Sequence, residues 1–333
     1  MNRHRILLAH GGGGSLTQEL IQRLFVPAFK MSSLDDAAVL AVDRVRLAFT
    51  TDSYVVKPYV FPGGDIGRLA VCGTVNDLAV QGAQPLWLSL SFILEEGLPV
   101  ADLESIVASI ATTASEAGVT IVTGDTKVVE RGQCEGLYIN TAGIGRVAGR
   151  RSVSHAGAKP GDVVLINGPI GEHGVAVMSR RAGIEFQTSV VSDSAPVWPL
   201  VKAILDLGAE VHTLRDPTRG GVAAALNDIA TASGVGIRLE EKALPIGREV
   251  RGACDLLGLD PLTIANEGKL LVICRQADAE RVLATMKRQP LGRQAVVIGE
   301  VMETPKAMVL LRTTIGGERI VDMPTGEDLP RIC

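Results

Sequence analysis

Short apolar runs bounded by Asp, Gly or Pro alternate along this chain with longer stretches whose apolar residues recur at helical spacing. The alternation restarts once, after residue 162, and this doubled rhythm constrains the fold more than any other feature. In the first half, AAVLAV (37–42), VRLAFTT (45–51), PLWLSLSFIL (85–94), VTIVTG (119–124) and GLYINTAGIGRV (136–147) read as strands. Between them, DIGRLAVCGTVNDLAVQGA and PVADLESIVASIATTASEAG read as helices, the latter with Leu103, Ile106, Val107 and Ile110 on one face. The polar, Gly- and Pro-containing RRSVSHAGAKPGD (150–162) is the expected boundary. Beyond it, DVVLING, VGIRLE, KLLVIC, AVVIGEV and AMVLLR read as strands among five further helical patterns. The expectation is an α/β (α+β) protein with domains at 35–149 and 150–322, a glycine-rich segment at 1–34 and a mobile tail at 323–333. Periodicity alone does not order the sheets.

Charge and length narrow the function classes. With 33 basic against 37 acidic residues in 333, the net charge of -4 offers no electrostatic case for nucleic acid or an anionic membrane. Aromatic content of 3% argues against a base-stacking platform. No apolar run approaches the length of a membrane span, and MNRHRILLAHGGGGS is too short in apolar residues for a signal peptide, so a cytoplasmic protein is expected.

Five cysteines, Cys72, Cys134, Cys254, Cys274 and Cys333, form no CxxC pair, which supports neither a disulfide framework nor a zinc site. Cys72 and Cys274 lie in apolar runs and read as small hydrophobes. Cys333 follows PTGEDLPRI, a tail rich in Pro and charge that is not expected to pack as core, and reads as a mobile thiol.

Aspartates recur where strands or helices meet loops: Asp35 and Asp36, Asp52, Asp125 and Asp216. Hard oxygen ligands so placed suit Mg²⁺. Turn formation or N-capping accounts for any one of them but less well for the set. Asn76 and Asp77 interrupt the apolar GTVNDLAVQGA, where an unpaired carboxylate is costly, so a metal or a donor network should meet Asp77. HGGGGS (10–15) lets backbone amides approach a phosphate, although it matches neither the Rossmann nor the Walker pattern and stands equally well as a connector. DPTRGG opens a helix whose N-terminus suits an anion, or simply initiates that helix. Lys127 in GDTKVV and Glu267 in ANEGKL are ordinary surface charges taken singly; in one cleft they would be a cationic clamp and a general base. His155, His173 and His212 receive no role.

Taken together, LDDAAVL, TTDSYVV, GGDIGRLAVCGTVNDLAVQGAQP, GDTKVV, DPTRGG, ANEGKL and the terminal PRIC resemble the HypE family of hydrogenase maturation proteins over nearly the whole chain. The Asp-rich segments are shared in style with aminoimidazole ribonucleotide (AIR) synthetase, selenophosphate synthetase and thiamine-monophosphate kinase, whereas PRIC discriminates. The resemblance implies a two-domain AIR-synthetase-like fold: an N-terminal mixed sheet that pairs in a barrel-like homodimer, and a C-terminal α/β sandwich. It implies ATP with Mg²⁺ in the cleft between the domains. Carried over by position, Asp35, Asp36, Asp52, Asp77, Asp125 and Asp216 are the metal-site residues. Gly11, Gly12, Gly13, Gly14, Asp36, Asp52, Asn76, Asp77, Asp125, Thr126, Thr218, Gly220 and Gly221 are the nucleotide residues, and Cys333, Lys127 and Glu267 the catalytic ones.

The same resemblance implies a reaction. A HypF-type carbamoyltransferase loads a carbamoyl group onto Cys333, ATP-dependent dehydration turns it into a thiocyanate, and a HypC–HypD complex receives the cyanide for the hydrogenase iron. The tail would alternate between an inward and an outward state. The rivals are weaker. Selenophosphate synthetase carries a reactive cysteine or selenocysteine near its glycine-rich loop, where this chain has His10. Thiamine-monophosphate kinase gives no reason for PRIC, and a non-catalytic nucleotide-binding scaffold gives none for Asp77, Lys127 and Cys333.

Overall fold

The computed structural model describes residues 5–30, 34–147, 153–181, 188–326 and 331–333. The glycine-rich start does not remain a loop: it leads into α1 (Ser15–Leu20), a π-helical turn (Ile21–Phe25) and α2 (Val26–Phe29). There follow β1 (Ala38–Val42), β2 (Val45–Tyr54), the short hairpin β3 (Val60–Phe61) and β4 (Gly64–Asp65), α3 (Ile66–Val80), β5 (Ala83–Glu95), α4 (Val100–Ala117), β6 (Thr120–Val129) and β7 (Leu137–Val147). Five of these strands form a mixed sheet in the order β1-β2-β7-β5-β6. Its parallel pair, β5 with β6, is the pair joined through α4, because parallel neighbours need a crossover long enough to return to the same end.

The two faces of this sheet differ. α3 and α4 cover one, and β7 accordingly alternates buried with accessible residues. The other face is open: β1 is exposed throughout and β6 nearly so, and Leu40, Trp87, Val122 and Val128 leave apolar surface accessible.

The second alternation comprises β8 (Asp162–Ile166), α5 (Glu172–Met178), α6 (Trp198–Asp206), β9 (Val211–Arg215), α7 (Gly221–Ser233), β10 (Gly236–Glu240), α8 (Arg248–Leu257), β11 (Leu271–Arg275), α9 (Ala279–Arg288), β12 (Val296–Met302), β13 (Met308–Arg312) and β14 (Glu318–Ile320). Its seven-stranded sheet runs β14-β13-β10-β12-β8-β11-β9. The central β8 and β11 are buried on both faces, which explains their continuous apolar runs. Val164, Ile166 and Ile273 join the cluster around α7, while Leu165, Val272 and Cys274 join the one around α6 and α9, so the layers form a sandwich. β9 and β14 go beyond the sequence reading; both are short edge strands, β9 paired with the distant β11 and β14 with the neighbouring β13. The expected boundary at 149/150 lies outside the described residues.

Thirteen of the fifteen residues of α3 are buried. A helix apolar on every side is one enclosed on every side, and α3 meets β2, β5, β7 and α4 in its own half and α6 and β9 in the other. Its first turn is capped by Asp65, which accepts from the amides of Gly67 (2.8 Å) and Arg68 (2.9 Å). This central helix carries Asp77 to the junction of the two halves.

The tail takes the inward one of its two expected states, and its Ile332 packs as core where the composition of PTGEDLPRI argued against it. Ile332 is only 5% exposed and belongs to an apolar cluster drawn from both halves, with Phe61, Val177 and Ala265. The chain's last residues are therefore docked inward.

Candidate active site

A cleft of about 710 Å³ opens between the halves. Asp36 enters it from the turn before β1, Asp77 from α3 and Asp216 from the end of β9, and one carboxylate oxygen from each lies within 4.8 Å of the others. The expectation that donors should meet Asp77 holds: Thr50 donates its hydroxyl to Asp77 Oδ2 at 2.8 Å. Arg215 places a guanidinium nitrogen 2.6 Å from Asp36 Oδ1, yet Asp36 Oδ2 is buried without a hydrogen-bond partner among the described residues. Burial, and then the neighbouring Asp52, Asp216 and Asp36, push Asp77 well above the carboxylate range. Burial and then Asp36 push Asp216 up to about 7, against the pull of Arg215. Three crowded carboxyls that resist ionisation, one with an orphaned oxygen, fit a small divalent cation with oxygen ligands.

Glu267 reaches the same cleft from the loop before β11. It is 3% exposed, and its Oε1 has no partner among the described residues. Burial, then Asp193 and Asp216, raise its pKa well above the usual value, while Arg219 pulls it down. Its backbone is pinned by Asp193, whose carboxylate accepts from the amides of Glu267 (3.1 Å) and Gly268 (3.2 Å) and pairs with the buried Lys269 (3.2 Å). Cys333 lines the cleft as well, half-buried, with its carbonyl accepting from Val55 N at 3.3 Å.

Of the residues selected from sequence, Gly13, Asp35, Asp36, Asp52, Asp77, Asp216, Thr218, Glu267 and Cys333 share this cleft. Asp35, expected at the metal, instead receives hydrogen bonds from Ser154, from the His155 amide and from the His155 ring. Burial would raise its pKa, but the His155 contacts hold it below the ordinary value. Asp52 accepts from the Tyr54 hydroxyl at 3.1 Å and stands beside the carboxylate cluster. Asn76, expected at the nucleotide, is a structural tie: its amide nitrogen donates to the carbonyls of Ala195 and Glu267, and its oxygen accepts from Val197 N.

Of the glycine loop, only Gly13 lines the cleft, with φ +74° and a position where a Cβ would approach Arg219 Cβ to 2.9 Å. Gly14 packs against Pro324 O, Ser15 N donates to that oxygen, and the Gly11 carbonyl accepts from Arg219 (2.9 Å); Gly12 ends the preceding turn. Gly220 and Gly221 open α7 with positive φ and are not among the residues that line the cleft. Asp125, Thr126 and Lys127 lie on exposed β6, outside the chain's own cleft, where Lys127 pairs with Asp125 at 2.9 Å.

Sequence reading passed over Arg215, Arg219, His155 and Asp193. Arg219 had a usable signal, since it sits inside DPTRGG between residues already selected. Asp193 and the histidines had none, because their roles depend on partners distant in sequence.

Residues 34–147 match the family model for AIR synthase related protein, N-terminal domain, and residues 159–311 that for AIR synthase related protein, C-terminal domain. The chain is 53% identical over 333 residues to carbamoyl dehydratase HypE of Cupriavidus necator, with 99% of this chain and 95% of that relative covered. It superposes on a HypE–HypF complex with TM-score 0.87 at 49% identity, covering 92% of this chain and 99% of the other. For a HypE structure in complex with ATP, the TM-score is 0.83 at 47% identity, with 99% and 100% covered.

Proposed function

The chain belongs to the carbamoyl dehydratase HypE family, and on that premise we propose that it uses ATP to dehydrate a carbamoyl group carried on Cys333 during NiFe-hydrogenase maturation. The observation that carries this reading is the meeting of Cys333, Glu267 and the Asp36, Asp77, Asp216 cluster in one cleft.

An amide oxygen is a poor leaving group. Transfer of the γ-phosphoryl group of ATP to the carbamoyl oxygen turns that oxygen into phosphate. Breaking the C–O bond with loss of the N–H protons then leaves S–C≡N, phosphate and ADP. Phosphoryl transfer is dominated by positioning and charge. Mg²⁺ held by Asp36, Asp77 and Asp216 would supply positive charge against the phosphates. On the protein side, the docked tail orients the sulfur, Arg219 brings a cation towards the Cys333 end of the cleft, and Glu267 takes one N–H proton while the other leaves on the departing phosphate. The burial of Glu267 and its lack of a partner suit it to that task.

A HypF-type carbamoyltransferase supplies the carbamoyl group and a HypC–HypD complex accepts the cyanide, in the cytoplasm. The division at 35–149 and 150–322 gives each half its own sheet. The open sheet face pairs with that of a second copy in a homodimer, which brings Asp125, Thr126 and Lys127 of β6 to the nucleotide across the interface. The exposed apolar side chains of that face support this arrangement.

The test is the mass of the Cys333 peptide after incubation with the carbamoyl-donating partner, carbamoyl phosphate and MgATP. The reading expects a gain of about 43 Da when dehydration is blocked and about 25 Da when it proceeds, carbamoyl and cyano additions to a thiol. An unmodified Cys333 beside an active partner would overturn it.

A further inference from the structure

Beneath the docked tail lies a histidine that the mechanism leaves without a task. His173, in the first turn of α5, is fully buried. One ring nitrogen, Nε2, lies 2.8 Å from the Ile332 carbonyl oxygen, and the other, Nδ1, lies 2.8 Å from Ser192 Oγ. A carbonyl oxygen only accepts, so Nε2 carries the proton and Nδ1 accepts from the serine hydroxyl. Phe61 packs edge-on against the ring at 5.3 Å and limits its rotation.

A histidine serving the core alone would close both hydrogen bonds nearby. This one spends its donor on a carbonyl 159 residues away in sequence, in the residue that precedes the reacting thiol. The neighbouring carbonyls are gripped as well. Arg181 Nη2 donates to the Arg331 carbonyl at 2.6 Å, Lys57 N donates to it at 3.2 Å, and Val55 N donates to that of Cys333. Alternate backbone amides of residues 55 and 57 thus pair with the tail as an added strand would, the Ile332 side chain fills an apolar slot, and the Arg331 side chain pairs with Glu135.

The histidine is also tied to the candidate base. Ser192, whose hydroxyl meets His173 Nδ1, precedes Asp193, which pins the amides of Glu267 and Gly268. One short loop therefore sets both the donor that holds the tail and the backbone of the group that acts on it.

We propose that His173, assisted by Arg181, is a positioning residue that seats Cys333 in the cleft through the carbonyls of Ile332 and Arg331. The inference rests on the reading of Cys333 as the reacting thiol. The other four cysteines are buried, so a polyethylene-glycol maleimide too large to enter the cleft reports release of Cys333 when the full-length protein is labelled without ATP or carbamoyl donor. His173→Leu should accelerate labelling roughly tenfold, the effect of about 1.4 kcal/mol, one hydrogen bond lost from the docked state. His173→Gln, which keeps an N–H near Nε2, should label within about twofold of the parent, and the more peripheral Arg181→Ala should fall between, each by the same hydrogen-bond arithmetic.

The reaction supplies a second readout. In single turnover of the carbamoylated protein, His173→Leu should slow nitrile formation while the affinity for ATP stays unchanged; a merely structural role would lower affinity and thermal stability together. Labelling of natively folded His173→Leu and Arg181→Ala proteins at the parental rate, or of His173→Gln as fast as His173→Leu, would overturn the proposal. Because labelling involves no turnover, a Cys333→Ala protein that still produced nitrile would sink the reading of Cys333 as the carbamoyl carrier while leaving the labelling result intact.

Discussion

Arg215 sets its guanidinium 2.6 Å from one carboxylate oxygen of Asp36, while the other oxygen of Asp36 is buried with no hydrogen-bond partner among the described residues. One cation thus faces three clustered carboxyls, and the cluster relieves its repulsion by holding protons. Asp216, raised from 3.8 to about 7, keeps a proton in the metal-free fold that the unfolded chain releases. Its penalty on folding therefore accrues as pH rises across that interval and is complete above it.

Binding of Mg²⁺ with a non-hydrolysable ATP analogue should displace those protons. Below about pH 7, affinity should weaken by roughly tenfold per pH unit for each proton displaced. Titration calorimetry in buffers of different ionisation heat measures the proton count directly. A count of zero would remove this cluster as the metal site, and Asp77→Asn should lower the count by the share that Asp77 itself contributes while Asp216 still releases its own.

Glu267→Gln preserves shape in a site where Oε1 has no partner. Nitrile formation in single turnover should fall by about 10²–10⁴-fold, the usual loss for a general base, while ATP affinity changes little. Because burial and the surrounding carboxylates raise Glu267, the parental rate should climb with pH through an ionisation above the ordinary carboxylate value. A variant with near-parental turnover would assign the proton transfer elsewhere.

The carboxylates were legible in sequence because each broke a local rule. Asp77 interrupts an apolar helix, and Asp216 precedes a Pro and paired glycines. Strands such as β8 and β11 announced themselves because burial on both faces demands an unbroken apolar run. The docked tail was not legible: nothing in PRIC says that Ile332 fills a slot between Phe61, Val177 and Ala265, since that slot is assembled from residues of both halves. Asp35 misled for the same reason, its partner His155 being 120 positions away. Lys127 and Asp125 stand apart because GDTKVV records residue chemistry without recording that β6 carries it to an exposed face away from the chain's own cleft.

Gly268, beside the candidate base, has its own constraint. A Cβ there would sit 1.9 Å from the Asp193 carbonyl oxygen, a backbone atom that cannot swing away. Gly268→Ala should cost about 2 kcal/mol through overpacking and shift the Asp193 hydrogen bonds that hold Glu267. Chemical denaturation gives the first quantity and single-turnover kinetics the second. Unchanged stability would mean that the 192–195 loop yields more readily than its contacts suggest.

Lys127 tests whether the proposed homodimer shares its active site between subunits. On β6 it is exposed and lies outside the cleft that holds Cys333 of its own chain. If it serves the partner's cleft, Lys127→Ala and Cys333→Ala proteins should each be inactive alone but regain activity when dissociated and reassembled together. Random pairing makes half the dimers mixed, and each mixed dimer carries one intact site, so recovery should approach roughly one quarter of the parental sites. Quantifying the nitrile-bearing Cys333 peptide in the mixture measures this. Recovery near zero, with mixed dimers verified by native mass spectrometry, would mean that Lys127 acts on its own subunit through a rearrangement of β6 or not at all.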